Sequence, residues 1–112
     1  ENLAKGDAVY IDSNGKVAKA IHNTSRDTAT VAGLVNDTVS ANGTATLSFA
    51  GKIDLTGWSG GNLTVGSRYF LNGSGAISTT PPSSSGQYVV FIGEALNSNT
   101  LALNIDVPLQ LK

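Results

Sequence analysis

The chain has no cysteine, which excludes disulfide bonds and thiolate metal sites and leaves its redox compartment undetermined. It has no apolar run near the roughly 18 residues that a membrane helix needs, and no basic leader followed by an apolar stretch. Neither a membrane span nor a signal peptide is therefore expected. Charge is scarce, at 13% of residues with a formal net charge of −1. The seven basic residues, Lys5, Lys16, Lys19, Arg26, Lys52, Arg68 and Lys112, are scattered. Nucleic-acid affinity rests on clustered Lys and Arg that neutralise phosphates, so no nucleic-acid partner is expected. Methionine is absent too, and a chain starting at Glu1 is expected to be a processed or excised segment of something longer.

What remains is a chain of 112 residues, 40% hydrophobic, which suits one globular domain over 1–112 with a modest core. No stretch sustains the i, i+3, i+4, i+7 spacing of a surface helix over three turns. Instead, short runs rich in Val, Ile, Leu and aromatics read as strands: DAVYI, KVAKAI, ATVAGLV, TATLSFA, SRYFL, QYVVFIGEAL and TLALNIDV. Turn signals separate them at Ser13-Asn14-Gly15, Ala41-Asn42-Gly43, Gly73-Ser74-Gly75 and Thr80-Pro81-Pro82. Asn14-Gly15 suits the positive φ of a two-residue type I′ turn. The expectation is an all-β fold, a small antiparallel sandwich or barrel. Asn-x-Ser/Thr triplets at Asn23, Asn36, Asn42, Asn62 and Asn72 follow from a composition rich in those residues rather than from glycosylation.

The stretch NLTVGSRYFLNGSGAIS (62–78) shares a skeleton with NLAKGDAVYIDSNGKVA (2–18). At an offset of 60 residues, Asn2, Leu3, Gly6, Gly15, Ser25 and Gly33 fall on Asn62, Leu63, Gly66, Gly75, Ser85 and Gly93. Three glycines in register mark backbone positions where a side chain is disfavoured, in turns or bulges. The pattern reads as an internal duplication, with copies at about 1–54 and 61–112 joined by 55–60. TATLSF (44–49) matches TLALNI (100–105) if the first copy carries four extra residues. Alternate residues face opposite sides of a sheet, which makes Tyr69, Phe70, Leu71, Val90 and Ile92 candidates for core or interface. DVPLQLK (106–112) reads as a last strand or an arm reaching a neighbour, and Pro108 limits it to an edge.

Candidates for chemistry are few. The single histidine, His22, lacks a Gly-x-Ser-x-Gly elbow or any other sign of a triad, and reads as a surface or edge-strand residue. Among the eight acids no pair stands out as the two carboxylates of a glycosidase. DSNG (12–15) starts like a calcium loop, but Lys16 and Val17 follow where further oxygen ligands belong, so a hairpin turn accounts for it and no metal or cofactor is expected. Trp58, in GWSGG, has two readings. Exposed beside a polar groove, it is a surface on which a carbohydrate stacks; packed, it plugs a barrel end or an interface.

The second half, LTVGSRYFLNGSGAISTTPPSSSGQYVVFIGEAL (63–96) followed by LALNIDVPLQL (101–111), resembles a module of tailed-bacteriophage virion proteins. Its marks are a glycine-led aromatic strand, a Gly-x-Ile segment before a Pro/Ser loop, then an apolar strand ending Gly-x-Ala-Leu. GDAVYIDSNGKVAKA, VAGLV and ANGTATLSFAGKI are similar to the other half of such modules. The resemblance implies a non-enzymatic, homotrimeric β-module on the virion surface. Its partners would be further copies of itself and a major capsid or fibre protein. As a decoration or cement protein it would bind the capsid; as a fibre domain it would reach host carbohydrate, for which Trp58 is the candidate contact. It carries over no catalytic residue.

Overall fold

In a computed structural model describing residues 2–41 and 43–112, the short apolar runs form antiparallel strands. In chain order these are β1 (Ala8–Ile11), β2 (Val17–Lys19), a single helical turn α1 (Arg26–Ala29), β3 (Gly33–Val35), β4 (Leu47–Ser48), β5 (Ala50–Asp54), β6 (Arg68–Leu71), β7 (Ile77–Ser78), β8 (Tyr88–Val89), β9 (Phe91–Ala95), β10 (Thr100–Asn104) and β11 (Leu109–Gln110). Sheet 1 has the order β2-β1-β3-β4, and sheet 2 has the order β5-β10-β9-β6-β7. β11 and β8 form a separate two-stranded ladder. The chain is all-β, with antiparallel sheets packed together.

Several elements depart from expectation. The run at 29–35 is not one strand: Ser25 caps α1 reciprocally with Thr28, so the chain makes a helical turn before β3 begins. A capping box usually shows Glu or Gln at its third helical position, and threonine there conceals it. The run at 87–96 divides at Val90 into β8 and β9, which belong to different sheets. Likewise the run at 44–50 holds β4 and, after the break at Phe49, the first residue of a further strand, β5, which joins the other sheet. The Asn14-Gly15 pair is not the centre of a two-residue turn. Asp12 C=O accepts the Gly15 N–H at 3.0 Å, which makes Ser13 and Asn14 the central residues and Gly15 (φ 79°) the left-handed residue that closes the loop. The Asp12 carboxylate sets this geometry by accepting the Asn14 and Lys16 N–H groups at 2.9 and 3.0 Å. Asn42, the middle of the expected turn at 41–43, and Glu1 lie outside the described residues.

Some backbone pairs recur at the 60-residue offset. Val9 pairs with Gly33 and Tyr10 with Ala18; Tyr69 pairs with Gly93 and Phe70 with Ser78. Gly6 N–H donates to Val35 C=O at 2.8 Å, and Gly66 N–H to Ala95 C=O at 2.9 Å. In each half the strand order runs hairpin, then β3 or β9, then β4 or β10. The last strand corrects the sequence alignment. Leu34 pairs with Ser48 and Glu94 with Ala102, an offset of 54 rather than 60, so the first half is longer by six residues, not four. The two-residue error was invisible in the sequence because it preserves which side chains share a face.

Two clusters of buried side chains hold the fold. The larger joins Ala8 and Leu34 of sheet 1 to Tyr69, Leu71, Ile92, Leu101 and Ile53 of sheet 2 and its surroundings. The smaller, Leu3, Val9 and Val35, lies on the opposite face of sheet 1, bordered by Val17, Val39, Ala45 and Leu47. These neighbours leave its three members 3% exposed or less.

Candidate functional site

β4 is an edge strand. Among the described residues its only ladder is with β3, where Asn36 N–H donates to Thr46 C=O at 2.9 Å and Leu34 pairs with Ser48. Hydrogen bonding alternates along an antiparallel strand, so the Leu47 N–H and C=O point away from β3, toward the free edge. An open cleft of about 640 Å³ lies over the small cluster, between the β1–β2 hairpin (Lys16, Val17) and the segment that leads into β4 (Val39, Gly43, Ala45). Phe49 is 70% exposed at the break between β4 and β5; Ile11, 58% exposed at the end of β1, stands farther off, across β3. Unpaired strand edges beside exposed apolar side chains are association surfaces by default.

The C-terminal arm is the other unusual segment. It leaves β10, donates the Asp106 N–H to Phe91 C=O at 3.0 Å, and returns along β8 through the pairs Leu109–Val89 and Gln110–Tyr88. The Arg26 guanidinium donates to Pro108 C=O at 2.8 Å. Even so docked, Val107 and Leu109 are 74% and 67% exposed.

Among the residues singled out from sequence, Tyr69, Leu71, Val90 and Ile92 are buried in the larger cluster, while Phe70 is half-buried and packs edge-on against Phe91 at 5.8 Å. The Tyr69 hydroxyl accepts the Thr64 N–H at 2.8 Å. Gly6, Gly15, Gly66 and Gly75 carry positive φ in turns. Gly33 and Gly93 serve another purpose: each lies under a carbonyl of the next strand, Ser48 and Ala102 respectively, where a side chain would collide.

Trp58 is half-buried, and its indole N–H donates to Gly61 C=O. A side chain at Gly6 would meet the ring at 2.5 Å, so one edge of the indole lies against the first turn of the chain. His22 Nδ1 accepts the Gly73 N–H at 3.0 Å and its Nε2 lies 3.2 Å from the Gln87 amide, which ties the end of β2 to two loops of the second half. Among the described residues, no three His, Cys, Asp or Glu side chains converge as metal ligands would.

Asp54 closes β5. The Thr56 hydroxyl and N–H donate to its Oδ1 at 2.6 and 2.9 Å and hold its carboxyl below the ordinary carboxylate range. A carboxylate lowered in the folded state stabilises fully above its unfolded pKa and loses that contribution as pH falls through the folded one. Asp54→Asn is expected to lose this contribution wherever the carboxylate is ionised, so that the variant melts slightly below the wild type at neutral pH and the two converge as pH falls through the folded-state pKa, which thermal melts across an acid series would measure.

Sequence reasoning named the arm but not its counterpart, the outward Leu47. The signal was the offset of the last strand, which only the pairing register reveals. No family model matches this chain, and no curated protein or solved structure matches it.

Proposed function

We propose that this chain is a non-enzymatic structural module of a tailed-bacteriophage virion, one β-unit used twice, that associates as a homotrimer on the virion surface and decorates or cements the capsid through protein–protein contacts. The observation that carries the reading is the edge of β4 that no described strand covers, beside exposed Phe49, together with an apolar arm exposed at Val107 and Leu109. Closed cyclic association would bury these side chains and protect the strand edge. The sequence resemblance of both halves to virion modules supplies the setting. The competing reading, a fibre domain that stacks host carbohydrate on Trp58, finds less support, because that indole is clamped against Gly6 with its N–H bonded inside its own loop.

The test is the solution mass by light scattering, followed by co-sedimentation with shells of the capsid protein encoded alongside this chain. A mass near 34 kDa, three times the 11.4 kDa chain, with sedimentation on the shells, is the expected result. A trimer that ignores capsid shells would overturn the decoration role.

A further inference from the structure

The two halves treat their last strand differently, and the difference identifies what belongs on the open edge. In the second half, the outer edge of β10 is covered by β5, which arrives from the first half with five residue pairs, among them Leu101–Ile53. The Leu101 backbone faces β5 just as Leu47 faces the free edge, since Leu96 N–H donates to Thr100 C=O where Asn36 N–H donates to Thr46 C=O. Ile53 and Leu55, carried in by β5, are only 3% and 1% exposed.

Carrying the 54-residue offset along the chain places Val107 where Ile53 stands, Pro108 where Asp54 stands and Leu109 where Leu55 stands. The equivalents of two buried anchors are thus two of the most exposed apolar side chains of the molecule. Proline fits its position: Leu55 N–H donates to Asn99 C=O at 2.7 Å, so the Asp54 N–H points away from the ladder and a residue without one is tolerated there. Val107, Leu109 and Leu111 alternate with Pro108, Gln110 and Lys112, the pattern of a strand with one apolar face.

We infer that residues 107–111 of a second copy add to sheet 1 as a fifth strand along β4, with Val107 opposite Leu47 and Leu109 opposite Ala45. In this register Leu109 and Leu111 enter the cleft lined by Leu3, Val39, Gly43 and Ala45, and pack on the half-buried border of the small cluster, Val39, Ala45 and Leu47. A second copy is the donor because the chain's own arm is led away. The Asp106–Phe91 bond carries it across β9 toward β8, and it cannot run along its own β4 without giving up that corner. A neighbouring arm keeps the corner and exchanges the short ladder with its β8, the Leu111 bonds to Gly86 and Gln87 and the Arg26–Pro108 bond for pairing along β4. Donation from the second half of one copy to the first half of the next is head-to-tail, and three such contacts close a ring. The contact is confined to edge and arm: where Ala8 and Leu34 face the core in the first half, the second carries Arg68 and Glu94 on its surface, so the face-to-face packing of the two sheets is not repeated between copies.

The inference names the contact within the self-association proposed above and rests on that reading. Its test is Val107→Asp, a substitution at a side chain exposed in the isolated chain. The variant is expected to keep the wild-type far-ultraviolet spectrum and melting temperature of the dissociated chain, yet to elute at 11.4 kDa where the wild type elutes near 34 kDa. Val65→Asp, equally exposed but on the turn before β6, is expected to stay associated. An associated Val107→Asp variant overturns the arm contact and leaves self-association standing; a wild type that is monomeric at every concentration overturns both. Because the chain has no cysteine, a mixture of Leu47→Cys and Val107→Cys variants reports the register directly. A disulfide between the two variant chains on oxidation is expected. A disulfide forming only within a single chain that carries both substitutions would assign the edge to the chain's own arm and overturn the second copy as occupant.

Discussion

Gly93→Ala is expected to abolish the folded state. Gly93 sits in the middle of β9, paired with Tyr69 on one side and Leu103 on the other. A methyl group there would overlap the Ala102 carbonyl oxygen, and that oxygen belongs to the ladder at the centre of sheet 2. A flexible side chain would move aside; a backbone carbonyl flanked by the pairs Leu101–Ala95 and Leu103–Gly93 has nowhere to go. Overpacking of a core by one methyl typically costs about 1–3 kcal/mol. Relief here requires breaking the central ladder, so a loss above about 4 kcal/mol is expected, of the order of the whole stability of a small domain. Urea denaturation of a graded set measures it. Gly33→Ala brings a methyl to 2.8 Å from the Ser48 carbonyl oxygen, but β4 is a two-residue edge strand that can shift, so about 2 kcal/mol is expected. Gly15→Ala meets no atom within 4 Å and loses only the left-handed preference of glycine, about 1 kcal/mol. Equal losses at Gly93 and Gly15 would refute the steric account of the repeated glycines.

The same glycines show how far the sequence was legible. Three of them recurring at one offset pointed to similar backbone at both places, because glycine is favoured where φ is positive, as at Gly15 and Gly75, or where a Cβ would collide, as at Gly33 and Gly93. The composition, rich in β-branched and aromatic residues with frequent turn signals, announced the class. What stayed hidden depended on partners distant in sequence. Nothing local distinguishes Val90, where a continuous apolar run passes from one sheet to another, or Phe49, where β4 ends and β5 changes sheets. The register of the last strand was misjudged by two residues because a shift of two leaves the alternation intact. Trp58 posed the same difficulty: an indole among glycines reads as a sugar platform or as a packed plug, and the contact of its ring with Gly6 joins residues far apart in sequence. The candidate surface was half legible. The alternation in DVPLQLK marked an arm, but the free edge of Leu47 is a property of pairing, not of residue type.

The second large effect separates the two equivalent crossings. Ile53→Ala and Leu55→Ala are each expected to destabilise the monomeric chain by about 2–5 kcal/mol, the range for truncating a fully buried aliphatic side chain. Both enter the larger cluster, and Leu55 also lies against Gly6, where a built Cβ would stand 3.3 Å from its methyl. The site has little room to collapse, because β5 is held to β10 over its whole length and relaxation would cost ladder pairs. Val107→Ala and Leu109→Ala, their counterparts by offset, are expected to change monomer stability by less than about 0.5 kcal/mol, as exposed positions do. Equilibrium unfolding, at a concentration low enough to keep the chain dissociated, gives all four values on one scale. Repeated where the wild type associates, the same measurement should leave the first pair destabilised and bring out a concentration-dependent loss in the second, because burial that exists only in the assembly contributes by mass action. The contrast decides whether the two crossings are equivalent in energy as well as in register: β5 completes its sheet within one chain, and the arm completes the other only between chains. A large loss at Val107 or Leu109 in the dissociated chain would mean that the arm is already spent on its own fold, and the edge of β4 would then have no donor in this sequence.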